Sequence, residues 1–406
     1  MKLNTFMIAF VVLGCSLQST QSVAWEQITC EIPFLNAGKK KHWTVKQYKP
    51  VFDPMTIPLI SAQYTALTDA TARMNLNPSS FRYASGGLDN RDGVGVLNNE
   101  SEIWFEDLTK LNPMNAKLIA VERSDSDLSR DCTASESDIR INTKYRLARK
   151  PVGGNKIQYN LLAKNQLFEY GGSYENFTST VMHEMGHSAG LDHEGDVMNL
   201  MGGDNLIVAN GNAFNPYIGE DTAGGLIALY GLSTTAKEEV SVSHWRLGTK
   251  KSDGAGGFYS VHSRTRMFNA AGVELPKVCP YTKPNLDGPP ITLCPEPIYK
   301  VTKGQAVKLE LTYENAGKTP TRTATVRYYL STDSTISPTD TLLKTTVLSF
   351  LRNNTPSTFS TALVIPNTAI VLRGKNYWLG AIVDPTNLIT ESFEGNNATY
   401  VGIKTN

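Results

Sequence analysis

Residues 183–193 read HEMGHSAGLDH. His183 and His187 are four positions apart, so on a helix their imidazoles leave the same face one turn apart and can share a cation. Glu184 stands beside the first of them, placed to take a proton from water without itself ligating a metal. Gly190 can adopt the left-handed conformation that ends a helix and turns the chain back. The return brings His193 round as a third nitrogen donor. Three neutral imidazoles leave the fourth tetrahedral position open to water, as a catalytic rather than a structural zinc requires. One catalytic Zn2+ is therefore the expected cofactor. The expected chemistry is hydrolysis, with a polarised carbonyl, a water acidified by the ion and Glu184 carrying the proton to the leaving group. With six His and 32 Gly in 406 residues, the fixed positions coincide by chance in about one such chain in 10⁵. A buried structural histidine accounts for one of them, not for the set.

Such a site needs elements to hold it. Residues 177–189 are apolar and of helical length, and lead directly into the motif. Upstream, Ile60, Tyr64, Leu67, Thr71 and Met74 recur at three- and four-residue steps, the stripe of an amphipathic helix, with Pro58 near its first turn. Strand-like segments are expected at 42–48, 81–84, 102–108, 117–123 and 138–145, and a further short helix at 224–232. The stretch 86–95 has the Gly and Asp content of a calcium loop but no EF-hand spacing, so a plain turn is the expectation and Ca2+ has no supporting motif. After Ser233 the texture changes. Residues 234–294 are strand-like but irregular. From Val301 alternation dominates, through Val307, Leu309, Leu311 and Tyr313, then Val326, Tyr328 and Leu330, with further strands at 342–351, 357–365, 377–383 and 398–403. Short alternating segments separated by turn residues over about 110 residues indicate a β-sandwich.

The amino terminus reads as an address. Met1-Lys2 precedes an apolar run at 6–13, too short for the about 20 residues a membrane helix needs. Ser22-Val23-Ala24 then places small residues at a signal-peptidase site, so the mature chain would begin at Trp25 and be secreted. The alternative is the lipobox-like Val12-Leu13-Gly14-Cys15, which would anchor the protein by lipid at Cys15 to an outer surface or in the periplasm. Export makes Cys30, Cys132, Cys279 and Cys294 candidates for disulfides, with three connectivities available. Cys30–Cys132 with Cys279–Cys294 is the economical pairing. Lys plus Arg is 39 against Asp plus Glu 38, a net charge of +1. That balance argues against a nucleic-acid partner, which demands a concentrated excess of Lys and Arg.

The motif resembles the zinc signature of the metzincin metalloendopeptidases, H-E-x-x-H-x-x-G-x-x-H, at every fixed position. The resemblance implies zinc ligands His183, His187 and His193, the general base Glu184 and a methionine turn beneath the metal. Met201, in Asn199-Leu200-Met201, is the residue chosen for that turn, with Met198 as its competitor. Residues 217–231 (YIGEDTAGGLIALYG) are similar to the last helix of bacterial matrixin-like proteases, and 202–216 would wall the pocket for the side chain after the cleaved bond. In that order 117–123 is the edge strand, and Leu118, Ile119, Ala120 and Val121 would pair with an extended peptide; the alternative is an ordinary sheet strand. Three features depart from the family pattern. Outside the motif the region has only His42, so the second, structural zinc of matrixins cannot be built. The cysteine switch of their prodomain is absent. Gly203 stands where astacin-like and serralysin-like enzymes carry Tyr, which favours the matrixin-like branch.

Residues 304–400 resemble the CARDB family, a cell-adhesion-related module. GQAVKLELTYENAG from Gly304, VRYYLSTD from Val326, YWLGAIVDP from Tyr377 and ESFEGNN from Glu391 carry the likeness. Together the two resemblances imply an α+β metzincin-type catalytic domain, a twisted sheet with long helices, followed by an all-β immunoglobulin-like sandwich. The expected divisions are 1–24 signal peptide, 25–233 protease, 234–294 β-rich connection and 295–406 sandwich. The expected function is a secreted zinc metalloendopeptidase acting on proteins or peptides, with a module for a cell-surface or extracellular-matrix partner. The alternative is a surface adhesin on the same scaffold.

Overall fold

The computed structural model describes residues 27–30, 37–89, 98–110, 120–124, 131–142, 177–194, 199–202, 207–211, 213–252, 258–279, 283–284, 292–293, 297–352 and 356–406. The signal peptide, Cys15, Leu118, Ile119, Met198, Gly203 and Cys294 lie outside them. Over these residues the chain is mostly β, with three α-helices of 13, 12 and 11 residues: α1 (Ala62–Met74), α2 (Phe177–Ser188) and α3 (Glu220–Tyr230).

α1 begins where Ser61, in an extended conformation, accepts the Tyr64 N–H on its hydroxyl at 3.0 Å, which satisfies one of the free donors at a helix start. Leu67, Ala70 and Met74 are buried on its inner side. Ile60, expected as the first residue of that stripe, instead lies outside the helix with φ +67° and 89% of its surface exposed. The cap at Ser61 ends the turn before Ile60 can join the buried face. α1 packs with α2 against a four-stranded sheet ordered Val51–Phe52, Glu102–Glu106, Ser137–Asn142, Ala120–Ser124. The first three strands run parallel, and Ala120–Ser124 closes the edge antiparallel to its neighbour. Leu67, Phe81, Tyr83, Ile103, Ile139, Phe177, Val181 and Met185 make one continuous core.

The strand expected at 42–48 is reduced to Gln47–Tyr48, paired with Arg82–Tyr83. The preceding residues spend their backbone groups elsewhere. The Lys41 N–H donates to Ile28 O, the His42 N–H to Cys132 O and the Trp43 N–H to the Tyr230 hydroxyl.

The C-terminal strands form two sheets. One runs Lys277–Val278, Ile298–Val301, Ala398–Thr405, Asn376–Val383, Thr321–Ser331, Thr341–Leu351. In the other, Ala306–Asn315 pairs along its length with Ser357–Val364. Its opposite edge receives two short strands end to end, Met267–Asn269 against Val307–Leu309 and Val240–Ser243 against Thr312–Asn315. Val307, Leu309, Leu311 and Tyr313 face Val326, Tyr328 and Leu330 across the core, as the alternation requires. The segment expected to connect the two domains thus also contributes strands, because Val240, Val242 and Met267 bury their side chains in this same core.

The two parts meet along polar contacts. The Tyr217 hydroxyl donates to Glu314 at 3.0 Å and the Glu220 N–H, at the start of α3, donates to its other oxygen at 3.3 Å. Burial pushes the Glu314 carboxyl up to about 7, opposed by these two bonds. The folded value lies above the unfolded one, so this stabilisation is complete below about pH 4.5 and is lost as pH rises through 7. Glu314→Gln should abolish that component, on the order of 3 kcal/mol between the two limits. Urea unfolding of both proteins at pH 4.5 and 7.5 checks it: equal losses in the two would refute the assignment.

Candidate metal centre

α2 is buried along its whole length, so its inner turns are held rigidly. His183 and His187 are 5% and 8% exposed, while His193, on the loop beyond, has 57% of its side chain exposed. The helix ends at Ser188 and Gly190 takes φ +97°. The Leu191 N–H returns to Gly186 O at 3.0 Å and the Gly190 N–H to His187 O at 2.9 Å, the paired bonds of a Schellman stop. A Cβ at Gly190 would also collide with Lys41 O. This turn carries His193 back to the helix.

The three imidazoles converge. His187 Nε2 lies 3.1 Å from His183 Nε2 and 3.2 Å from His193 Nε2. His183 Nδ1–H donates to Leu200 O and His187 Nδ1–H to Leu191 O, each at 2.7 Å. Those bonds fix the tautomer and turn the Nε2 lone pairs toward one another. Lone pairs so close repel unless a cation lies among them. The spacing matches the about 3.3 Å edge of a tetrahedron with Zn–N bonds of 2.0–2.1 Å. The donor set therefore fits a single zinc ion. Among the described residues it is the only group of three or more His, Cys, Asp or Glu side chains brought together in this way.

The electrostatics agree with that chemistry. Burial, then the neighbouring His193, lowers His183 to about 3, and burial also holds His187 well below its ordinary range. Both rings are therefore held toward the neutral form that can ligate a metal. Glu184 is 6% exposed. Burial and the nearby Glu122 charge push its carboxyl up to about 8, opposed in part by the Glu122 main chain. A dication on the adjacent imidazoles favours its ionised form, the one that accepts a proton.

Met201 is buried against Gly186 of α2, and Leu200 supplies the carbonyl for His183. The turn is tied by the Gly202 N–H to Asn199 Oδ1 at 2.8 Å and the Glu194 N–H to Met201 O at 3.1 Å. A Cβ at Gly186 would run into Met201 Sδ, which explains a glycine inside a buried helix. Gly186→Ala is expected to cost about 1–3 kcal/mol through overpacking and to weaken zinc retention; thermal melts and metal content after dialysis measure both, and a neutral result would contradict the packing.

Of the other residues singled out, Ala120 and Val121 lie on the edge strand beside α2. Cys30 and Cys132 are bonded to each other, and Cys279 is also in a disulfide. His244 is buried against Trp245, with Nδ1 2.5 Å from the Thr399 hydroxyl. Sequence reasoning missed Lys41, Trp43 and Glu122. Trp43 Nε1–H donates to Ser188 O at 2.6 Å, Tyr230 OH to Ala189 O at 2.7 Å, and Lys41 Nζ to His187 O at 2.9 Å. The carbonyls at the end of α2 are thus satisfied by distant residues, and Lys41 sits in a run of three lysines that resembles solvated surface.

Compared with known proteins, residues 294–401 match the CARDB family, so the chain carries a CARDB domain, an adhesion-related immunoglobulin-like β module. Two similar solved structures are both of a CARDB domain from Pyrococcus furiosus. One is a crystal structure in complex with di-metal ions, 19% identical, covering 27% of this chain and 79% of that one at a TM-score of 0.20. The other is a solution NMR structure, 20% identical, covering 26% and 84% at 0.19. No curated protein matches the chain.

Proposed function

We propose that this chain is a secreted, zinc-dependent metalloendopeptidase of matrixin-like type, whose residues 25–233 cleave peptide bonds and whose CARDB domain holds the enzyme to a surface or a protein substrate. The observation that carries the reading is the meeting of three Nε2 atoms, those of His183 and His193 lying 3.1 and 3.2 Å from that of His187, with the buried Glu184 one residue from the first ligand. Bound there by His183, His187 and His193, zinc would supply a Lewis acid for the scissile carbonyl and acidify water. Glu184 accepts the proton of the attacking water and returns it to the leaving amine. Its burial excludes bulk solvent from that transfer. The edge strand Ala120–Ser124 lines an extended substrate up by main-chain hydrogen bonds, which suits a protein of near-zero net charge. Met201 supports the ligand helix from below.

The test is proteolysis of denatured casein or gelatin by the purified protein, with and without chelator, then with zinc restored. Activity that is lost to chelator and regained with zinc supports the reading, and activity indifferent to chelator overturns it. The CARDB domain also favours a second reading, an adhesin on the same scaffold. A zinc-loaded protein inert on a broad peptide library, yet still binding cell surfaces or matrix, would decide for that alternative.

A further inference from the structure

We propose that the CARDB domain orders one wall of the substrate cleft, by gripping the hairpin formed by Ile207–Asn210 and Ala213–Pro216, and that Asn210 is the positioning residue at that grip. The bearing on cleavage rests on the peptidase reading; the ordering of the hairpin stands on contacts alone. The two strands pair antiparallel. The chain enters them from the turn whose Leu200 O holds His183 and leaves them at Tyr217 for α3. In the peptidase reading this segment walls the pocket for the residue after the cleaved bond. A two-stranded hairpin is marginal in water by itself, and this one finds its partners in the CARDB domain. At its tip Asn210 Oδ1 accepts the Ile336 N–H at 2.7 Å, and its amide donates to Ile336 O at 3.1 Å. The Gly211 N–H donates to Ser334 O at 2.7 Å. Along the two strands, the Thr399 hydroxyl donates to Ala209 O at 3.1 Å and the Asn215 amide donates to Gly395 O at 2.6 Å. Gly211 takes φ +64° and lies so near Thr335 that a Cβ would collide with its Oγ1.

The gripping loop is itself fixed. Ile336 is 3% exposed and packs with Tyr329, Ile382 and Tyr400, apart from the sandwich core. The Thr335 N–H donates to Asp333 Oδ1 and the Ser337 N–H to Asp340 Oδ2, each at 2.8 Å. At the base of the hairpin, Arg73 of α1 donates to Pro216 O at 2.8 Å. The hairpin is thus clamped between a helix of the zinc-bearing part and a rigid loop of the CARDB domain. A module that only tethers can hang from a flexible linker and needs no amide reading both main-chain groups of one residue. Asn210 does not touch the reacting atoms, and its role is exerted through the hairpin.

The experiment compares the full-length protein with Asn210→Ala, which loses both bonds to Ile336, and with Asn210→Asp, which keeps an acceptor for the Ile336 N–H but loses the donor. Val347→Thr, at an exposed position of the same domain, is the control. Amide exchange over Ile207–Asn210 should be at least about tenfold faster in Asn210→Ala and less affected in Asn210→Asp, with α1 and α2 unchanged. Between peptides that differ only in the residue after the cleaved bond, the ratio of kcat/KM values should shift by about fivefold or more in Asn210→Ala, mainly through KM. Each variant should keep one zinc per chain, and the control should match the native protein in every measurement. An Asn210→Ala protein whose hairpin amides stay as protected as the native ones overturns the proposal, and so does a loosened hairpin that leaves the peptide preference unchanged. A native protein without peptidase activity would instead count against the enzyme reading, and the exchange measurement would still decide whether the CARDB domain orders the hairpin.

Discussion

Glu184→Gln should lower kcat/KM on protein substrates by about 10²–10⁴-fold while the protein keeps its zinc. Glutamine has the size of glutamate, so the buried pocket stays filled. It cannot take up a proton near neutrality. With only 6% of the residue exposed, bulk water has no easy route to act as a substitute base. The ligands are untouched, and His183 and His187 keep their bonds to Leu200 O and Leu191 O. Metal analysis of the purified variant should accordingly show one zinc per chain, and the casein assay should show residual turnover near background. A variant with one zinc and unimpaired turnover would remove Glu184 from the mechanism.

The second large effect is expected from Cys30→Ser/Cys132→Ser. The bond joins residues 102 apart in sequence, and closing a loop of that length removes about 4–5 kcal/mol of unfolded-chain entropy. For a domain of about 200 residues that corresponds to a fall of about 10–15 °C in melting temperature. The consequence is not only global. The segment that Cys30 anchors donates from Ile28 N to Gly190 O at 2.9 Å, and the stretch beyond it supplies Lys41 and Trp43 to the last carbonyls of α2. Freed from Cys132, this strap should loosen the turn that presents His193, so zinc affinity should fall along with the melting temperature. Calorimetry and competitive chelation measure the two quantities. A double-serine protein that melts with the native one would show that the strap holds without its covalent tie.

The parts of the molecule readable in its sequence are those governed by local geometry. The spacing of His183 and His187 works because a helix repeats every four residues or so, and the Gly190 stop follows from glycine's freedom at φ +97°. The sandwich is likewise announced by alternation, since one inward face per strand imposes a period of two. What escaped depends on partners far along the chain. Lys41 meets Glu122 across 81 residues and His187 across 146, and nothing in a lysine run marks which member is buried. Ile60 continued the apolar stripe of α1 by spacing, yet the Ser61 cap left it outside. The role of residues 240–243 was hidden because a four-residue strand is decided by the edge it joins.

That last pairing bears on how the C-terminal module can be handled and inherited. The recognisable domain begins at residue 294, but Val240–Ser243 and Met267–Asn269 already cover one flank of Ala306–Asn315. A cassette cut at 294 would carry a ten-residue strand with one flank stripped of its backbone partners and with Val240, Val242 and Met267 missing from the core. Such a flank recruits other strands, including those of neighbouring molecules. The module is therefore not a bead that can be moved between proteins at its family boundary. A transplant that stays monomeric has to begin before Val240, and recombination between genes would face the same requirement.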